Sequence, residues 1–338
     1  MPRPTGLHLP RDERNMLVAI ARNWPGLKKD FIAKYGVTRN TANSIFDEAG
    51  RPEPEPVNDQ WSEYERIHVK PRIRVSAVTQ ATPPEGPVYR VIVIGDAHDK
   101  PGREKDRFLW IGRLIAERQP HAVVSIGDWV SLDSLSRHEI PGSQADAERP
   151  AFHLELESAD ESLSIFHREF PVGSIPVHMT MGNHEFRAER CANIQPKQCG
   201  DLPIRLANVF ARYRWNLRPF GEFFDLYGVD FVHCPLNIMG REMGGEHVER
   251  TVANKALRSL VMGHSHRRAM FNAPKVGQGR KISVLNVGTA MPLGMVERYT
   301  GLAMSGWTYG VYEIRIQAGV IIAEKFFDMQ ELQETYGD

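Results

Sequence analysis

The chain has 338 residues, of which 41% are hydrophobic and 25% are charged, a composition typical of a folded globular protein and not of a disordered one. Its 42 Lys and Arg residues balance 42 Asp and Glu residues, so net charge indicates no nucleic-acid partner, and such a partner would need a local basic patch. Three cysteines, Cys191, Cys199 and Cys234, are too few for a disulfide framework and are expected to be thiols. Without a signal peptide or an apolar run of membrane length, we expect a cytoplasmic protein with no membrane partner.

Residues 1–50 contain three predicted helices. Apolar residues recur at helical spacing over 12–23 and 27–35, and Thr38 is a suitable N-cap for a third helix that Gly50 ends. Two helices joined by a tight turn that contains glycine form a helix-turn-helix pattern. We therefore predict a small, all-α, helix-turn-helix-like domain over residues 1–50.

The composition and the residue pattern of the chain change at residue 51 and again at residue 88. Residues 51–87 are rich in proline and predict a linker, with the segment IHVKPRIRVSAV as an extended piece. From residue 88, strand-like apolar runs alternate with helical stretches, which predicts an α/β domain over 88–328 followed by a C-terminal tail over 329–338. The predicted strands are 89–94, 122–126, 177–181, 229–233, 260–262, 282–287, 311–316 and 320–327.

A helix is predicted between the first two strands, because Phe108, Ile111 and Leu114 share one helical face. This order implies two parallel strands with a right-handed crossover, whereas the closer spacing of the later strands suggests antiparallel pairing. The connection 131–170 is long. Its second part, 153–170, predicts an amphipathic helix. Its first part lacks periodicity and could hold substrate contacts or, equally, be disordered.

Five short clusters of Asp, His and Asn residues each follow a strand-like run. Because ligands bind at the carboxyl ends of strands in α/β sheets, we expect these clusters to meet at one rim. The clusters are Gly95-Asp96-Ala97-His98, Gly127-Asp128, Gly182-Asn183-His184-Glu185, His233 and Gly263-His264-Ser265-His266.

The residue types in these clusters indicate a metal site. Carboxylate, imidazole and amide oxygen donors suit divalent ions such as Mn²⁺, Fe²⁺ or Zn²⁺. Seven candidate ligands exceed the needs of one ion, but they can serve two ions if one carboxylate bridges. The candidates are Asp96, His98, Asp128, Asn183, His233, His264 and His266.

The ordered motifs D-x-H, G-D, G-N-H-E, H and G-H-x-H resemble those of the calcineurin-like metallophosphoesterase superfamily, over about residues 88–327. The resemblance implies a β-sandwich flanked by helices (α-β-β-α). It implies two divalent ions, with Mn²⁺ favoured and Fe, Zn, Ni or Mg as alternatives. It assigns Asp96, His98 and His266 to the first ion, Asn183, His233 and His264 to the second, and Asp128 to both.

The same resemblance gives roles to two residues of the G-N-H-E motif. His184 would contact the phosphate as an imidazolium and protonate the leaving oxygen. Glu185 would orient the ligands.

Substrate contacts are less well defined by the sequence. The stretch GDWVSLDS lacks the Asp-Arg-Gly that Ser/Thr protein phosphatases carry after this motif, which argues against that branch. Arg187, Arg137 and His138 are candidates for contacts with the substrate phosphate. The alternatives are a solvated loop for Arg137 and His138, and a surface ion pair for Arg187.

The N-terminal segment favours DNA as a partner, and the alternative is a small helical domain that binds protein or mediates assembly. Arg39, Asn40 and Asn43 open the third helix, where a helix-turn-helix protein reads the major groove, and residues 1–51 hold nine Lys or Arg against five Asp or Glu. The leading hypothesis is therefore a metal-dependent phosphodiesterase that acts on nucleic acid, with DNA favoured. The alternatives are a phosphomonoesterase for a small molecule or protein, and a non-catalytic DNA-binding regulator with a structural metal site.

Overall fold

The structure, a computed structural model, describes residues 9–50, 84–138, 140–276, 281–297 and 306–337. The chain divides into two compact units, residues 1–80 and 81–338. Most of the predicted linker, including its extended piece, lies outside the described residues. Within the described residues, no helix is long and apolar enough to cross a membrane.

The described part of the N-terminal unit, residues 9–50, contains three helices, α1 (Arg11–Arg22), α2 (Lys28–Tyr35) and α3 (Arg39–Ala49). Helix α2 ends at Gly36 in the left-handed conformation, and the Thr38 hydroxyl caps α3 by accepting from the Thr41 amide at 3.2 Å. The apolar faces of the helices meet in a small core of Leu17, Val18, Ala21, Phe31, Val37, Ala42 and Ile45. The three predicted helices are therefore present.

The larger unit contains two sheets. One has six strands in the order β11-β10-β1-β2-β3-β4, and the other has five in the order β5-β6-β7-β9-β8. The strand bounds are β1 Val88–Ile94, β2 Ala122–Ser125, β3 Val177–Thr180, β4 Asn216–Arg218, β5 Phe224–Leu226, β6 Val229–Phe231, β7 Leu260–Met262, β8 Arg268–Pro274, β9 Lys281–Val287, β10 Gly310–Gln317 and β11 Val320–Asp328.

Helices cover the outer faces of both sheets. Their bounds are α4 Asp106–Arg118, α5 Gln144–Ala147, α6 Phe152–Phe166, α7 Phe186–Ile194, α8 Pro196–Cys199, α9 Leu202–Arg212, α10 Val248–Lys255 and α11 Met329–Tyr336, with a 3₁₀ turn at Asp133–Leu135.

The side chains of β1 point alternately to the two faces of its sheet, which explains why this sheet lies between the second sheet and a layer of helices. Val91 and Val93 pack with residues of the second sheet, whereas Ile92 and Ile94 pack under the helices on the opposite face. The sandwich between helical layers is the predicted fold class, because each sheet buries one face against the other sheet and one face against helices. The predicted parallel pairing of β1 with β2, across α4, is also present.

Three predictions about this unit are wrong. The tail over 329–338 contains α11, whose Met329 and Leu332 are buried against the core next to α4, because the helix has an apolar face despite its polar composition. Strands β6, β7 and β9 pair in parallel, so antiparallel pairing holds only for part of the later region. Cys191 and Cys199 form a disulfide with Cα atoms 5.7 Å apart, and Cys234 remains a buried thiol.

The long connection after β2 is more ordered than its sequence indicates. Its first part contains the 3₁₀ turn and the short helix α5, and the predicted helix over 153–170 ends at Phe166. The buried Glu155 carboxylate of α6 accepts hydrogen bonds from the amides of Asp133 and Ser134, which fixes the 3₁₀ turn against that helix.

Candidate metal centre

All seven predicted ligands lie just beyond the carboxyl ends of parallel strands. In the first sheet they follow β1, β2 and β3, and in the second they follow β6 and β7. The two sheets therefore bring them to one edge of the sandwich, as the sequence predicts.

The first group of ligand atoms comes from Asp96, His98 and His266. The Nε2 atoms of the two histidines are 3.0 Å apart, and His266 Nε2 is 3.0 Å from Asp96 Oδ2. All three residues are buried, and Asp96 Oδ2 makes no hydrogen bond of good geometry within the described residues. Buried lone pairs that converge without a donor are costly, and a cation satisfies them.

The second group comes from Asn183, His233 and His264. Asn183 Oδ1 is 3.0 Å from His233 Nε2 and 2.9 Å from His264 Nδ1. His233 Nδ1 is 2.8 Å from the Ile126 carbonyl oxygen, and this donor bond turns Nε2 toward the other ligands. The orientation is the one that a metal-binding imidazole needs.

Asp128 lies between the two groups. Its Oδ2 is 3.3 Å from His233 Nε2 and 3.9 Å from His98 Nε2, while its Oδ1 accepts from the His184 amide at 2.9 Å. Although burial opposes it, the Asp128 carboxylate raises the pKa of His233 to about 10. The donor set of the centre, which consists of oxygens and imidazoles, fits divalent metal ions.

Backbone conformation also marks these positions. His98, Asp128, His264 and His266 have φ values of 46°, 49°, 70° and 56°, in the left-handed region that residues other than glycine seldom adopt. Such conformations are concentrated at functional sites, where the surrounding structure holds them.

The glycines before the ligands are needed mainly for space. A Cβ at Gly263 would lie 2.6 Å from Asp96 Oδ1, and one at Gly182 would collide with the Asp128 carboxylate. Only Gly127, of the four glycines that precede a ligand cluster, has a φ in the left-handed region. A left-handed glycine conformation therefore precedes one of the four clusters.

His184 is buried beside the centre. Its Nδ1 donates to the Ser131 carbonyl at 2.6 Å, and its Nε2 is 3.9 Å from Asp128 Oδ2 and 3.3 Å from the Arg187 guanidinium. Burial lowers the pKa of His184, with Asp128 opposing the shift and Arg187 adding to it. These contacts favour the neutral ring, so the predicted imidazolium would have to form when a phosphate group enters.

Glu185 contacts no ligand atom and instead ties the ligand-bearing loops together. Its buried carboxylate accepts from the amides of Asp128 at 2.9 Å, Val130 at 3.1 Å and Gly182 at 2.8 Å. Burial, followed by the Asp128 charge, raises the pKa of Glu185 to about 7, whereas the backbone donors lower it. The carboxylate is therefore placed to hold these loops, and its role as an orienting group stays a prediction.

The predicted substrate contacts have different surroundings. Arg187 is buried, donates to the Ser131 and Leu132 carbonyls at 2.9 and 3.3 Å and lies 3.7 Å from Asp133 Oδ1. It therefore braces this loop, and its ion pair is largely buried rather than on the surface. Arg137 and His138 are exposed just after the 3₁₀ turn. Contact of any of the three with substrate stays a prediction.

The three residues predicted to contact DNA lie in the N-terminal unit. Arg39, Asn40 and Asn43 are all exposed on α3, and the Asn43 side-chain oxygen accepts from Lys28 Nζ at 3.2 Å. Their side chains share one polar surface of the helix.

Three residues near the centre were not predicted. Glu242 lies 3.7 Å from His264 Nε2, the Trp307 ring packs 4.2 Å from that of His266, and the Phe220 ring lies 6.2 Å from that of His233, between centroids. Glu242 belongs to the glycine-rich stretch IMGREMGGEH, whose composition indicates a loop but singles out no residue. Trp307 and Phe220 belong to none of the sequence motifs described above.

Comparisons with known proteins agree with this fold and site. The family described as calcineurin-like phosphoesterase matches residues 89–268, more than half of the chain. The chain therefore belongs to this family, a class of metal-dependent phosphoester hydrolases. No curated protein matches the sequence.

Several solved structures are similar to the chain. A predicted phosphoesterase from Streptococcus pneumoniae is 12% identical, with coverage of 73% of this chain and 92% of that one and a TM-score of 0.32. Vps29 complexed with Zn²⁺ from Entamoeba histolytica is 15% identical, covering 71% and 99%, with a TM-score of 0.30. A dimetal phosphatase from Danio rerio is 9% identical, covering 72% and 100%, with a TM-score of 0.34.

Proposed function

We propose that this protein is a two-metal phosphodiesterase that cleaves nucleic acid, with DNA as the favoured substrate. The observation that carries the two-metal part is the position of Asp128 Oδ2, which faces both groups of ligand atoms. Two divalent ions bound there, with Mn²⁺ suited to mixed oxygen and imidazole donors, supply Lewis-acid polarisation of the phosphoryl group and a nucleophile near neutral pH.

The protein side chains have defined tasks in this proposal. Asp128 holds both ligand groups in register, and Glu185 fixes the loops that carry them. Because His184 Nδ1 is bonded to the Ser131 carbonyl, any proton that this ring takes up or gives away is at Nε2, the atom that faces the centre. That proton is available for the leaving oxygen.

The N-terminal unit supports nucleic acid as the substrate. Helix α3 exposes an arginine and two asparagines near its N-terminus, and these side chains suit contacts with phosphates and base edges. A module that binds DNA would raise the concentration of DNA near a tethered catalytic unit.

A substrate screen tests the proposal. The purified chain, loaded with Mn²⁺, Mg²⁺ or Zn²⁺, is assayed on single- and double-stranded DNA, RNA, bis-p-nitrophenyl phosphate and p-nitrophenyl phosphate. We expect DNA and the model diester to be cleaved faster than the monoester, and Asp128→Asn to abolish turnover. The control is Asp160→Asn, which changes an exposed carboxylate on α6.

The possible outcomes separate the alternatives. Cleavage of the monoester alone identifies a phosphomonoesterase. Cleavage of the model diester without DNA or RNA contradicts a nucleic-acid substrate. Stoichiometric metal binding without any turnover identifies the non-catalytic alternative.

DNA binding by α3 has its own test. Arg39→Ala and Asn40→Ala should weaken binding to double-stranded DNA in fluorescence anisotropy, whereas Arg11→Ala on α1 removes the same charge from another helix. Equal weakening by all three variants would indicate a nonspecific charge effect and contradict a reading surface on α3.

A further inference from the structure

Two exposed arginines lie beside the metal centre without a close counter-ion. Arg137 follows the 3₁₀ turn at Asp133–Leu135, and Arg190 belongs to α7. Within the ranges that the structure describes, neither guanidinium forms an ion pair. Other arginines around this edge are bonded, as Arg187 is to backbone carbonyls and Arg103 is to Glu297.

Packing brings the two arginines to the same side of the centre. The 3₁₀ turn packs against α7, where Arg187 lies 3.7 Å from Asp133 Oδ1 and 3.3 Å from His184 Nε2. Arg190 follows Arg187 by three residues, so both point from one face of the helix, about 4.5 Å apart along its axis. Arg190 therefore lies one step farther from His184 than Arg187 does.

Charge also relates Arg190 to its neighbours. Partial burial, then the charges of Arg137 and Arg187, lower the pKa of Arg190, and Glu242 raises it. Such interactions fall off with distance, so these charged groups lie in the same region of the molecule as Arg190. Glu242 itself lies 3.7 Å from His264 Nε2, at the edge of the centre.

The nearby carboxylates Glu242 and Asp133 form no ion pair with Arg137 or Arg190 among the described residues, so both guanidinium groups are available to an anion. The planar guanidinium forms paired hydrogen bonds with phosphate oxygens. The metal ligands and His184 would receive the scissile phosphate, which leaves Arg137 and Arg190 for an anionic group farther along the substrate.

We propose that Arg137 and Arg190 form a second anion-binding subsite, which receives the phosphate adjacent to the scissile one. This inference rests on the proposed function and makes its substrate class more specific: a phosphodiester whose neighbouring position also carries phosphate, as a nucleic-acid strand does. The subsite shares no residue with the metal ligands. It binds the substrate and takes no part in the chemical step.

The test compares probes that differ by one phosphate. Thymidine 3′,5′-bisphosphate and thymidine 5′-monophosphate are titrated into the full, Mn²⁺-loaded chain by calorimetry. In parallel, kcat/KM is measured for the p-nitrophenyl 5′-phosphate ester of thymidine, for the same ester with a 3′-phosphate, and for the ester extended at its 3′ side by one nucleotide.

We expect the second phosphate to strengthen binding and to raise kcat/KM, chiefly through KM. Arg137→Ala and Arg190→Ala should each reduce this preference about five- to tenfold, as expected for the loss of one charged contact. Arg190→Lys keeps the charge but not the paired geometry, so it should retain part of the preference. Arg205→Ala on α9 is the control, and the preference should weaken as salt screens the contact.

The outcomes distinguish this inference from the proposed function. Turnover of the esters without any preference for a second phosphate, or a preference that survives both alanine variants, overturns the subsite and leaves the phosphodiesterase. A binding preference lost in the variants, without turnover of any ester, supports the subsite and overturns the phosphodiesterase. A preference for a terminal 3′-phosphate over the extended ester would identify a nucleotide, rather than a strand, as the source of the second phosphate.

Discussion

Glu185→Gln is the most direct test of how the centre is held together. The side chain keeps its size, but the amide has one acceptor oxygen where the carboxylate has two. In the wild-type chain one oxygen accepts from the amides of Asp128 and Gly182, and the other accepts from Val130. In the variant, an NH₂ group must face at least one of these buried N–H donors.

The expected loss follows from these three bonds. A buried donor left without a partner costs roughly 1–3 kcal/mol, and the two remaining bonds lose the assistance of the charge, about 0.5–1 kcal/mol each. We expect the free energy of unfolding to fall by about 2–5 kcal/mol in urea titrations. Because the three amides belong to the loops of Asp128 and Asn183, Mn²⁺ affinity should also fall, by about 10- to 100-fold.

Glu155→Gln is the matched control. Glu155 is also a buried carboxylate that accepts from two backbone amides, but these belong to Asp133 and Ser134, which carry no predicted ligand. It should lose stability without losing Mn²⁺ affinity in calorimetry. If Glu185→Gln instead has the free energy of unfolding and the Mn²⁺ affinity of the wild type, the carboxylate does not organise the centre.

Three further predictions concern single positions. Gly182→Ala should abolish turnover and weaken Mn²⁺ binding, because its Cβ would displace the Asp128 carboxylate, whereas Gly244→Ala, which has open space, should retain both. His184→Ala should keep Mn²⁺ affinity but lose at least about 100-fold in kcat on the model diester, and intact turnover would remove its role as proton donor. Burial lowers the pKa of His167 to about 4, while an unfolded histidine titrates near 6.5, so below pH 6.5 the unfolded chain takes up a proton that the folded chain does not. The free energy of unfolding should therefore drop by up to about 3 kcal/mol between pH 6.5 and 4. The variant His167→Gln should lose this pH dependence, while its side-chain oxygen can still accept the hydrogen bond from the Trp215 indole.

The sequence predicts those strands that are long or wholly apolar. The β1 run VYRVIVI shows both alternation and β-branched residues, and its pairing with β2 follows from the helix between them. By contrast, β4 and β5 have three residues each, too few for a period, and β8 has the sequence RAMFNAP, which contains proline and asparagine. Pairing with neighbours decides these segments, and pairing is not visible in local sequence.

The candidate site also has residues that the sequence predicts and residues that only the folded structure reveals. The ligand motifs are local, since each follows its own strand, and their convergence follows from the rule that places ligands at strand ends. Glu242, Trp307 and Phe220 come from loops that reach the centre only after both sheets have packed. Arg187 could be named from the sequence, but its burial under the loop of Ser131 could not.

The left-handed ligand residues connect the fold to the chemistry. Each of the four has a backbone conformation that costs about 1–2 kcal/mol for an L-residue, less where Asp or His forms local bonds. The strand residues directly before these loops are buried, which offsets this cost, and the Glu185 and Ile126 bonds leave the loops little freedom to relax. The ligand atoms are thus preorganised, so metal binding need not supply the free energy of folding the loops. The phosphate-bearing end of a substrate would thus meet a rigid centre, while in the proposed subsite selectivity falls to the exposed arginines at its edge.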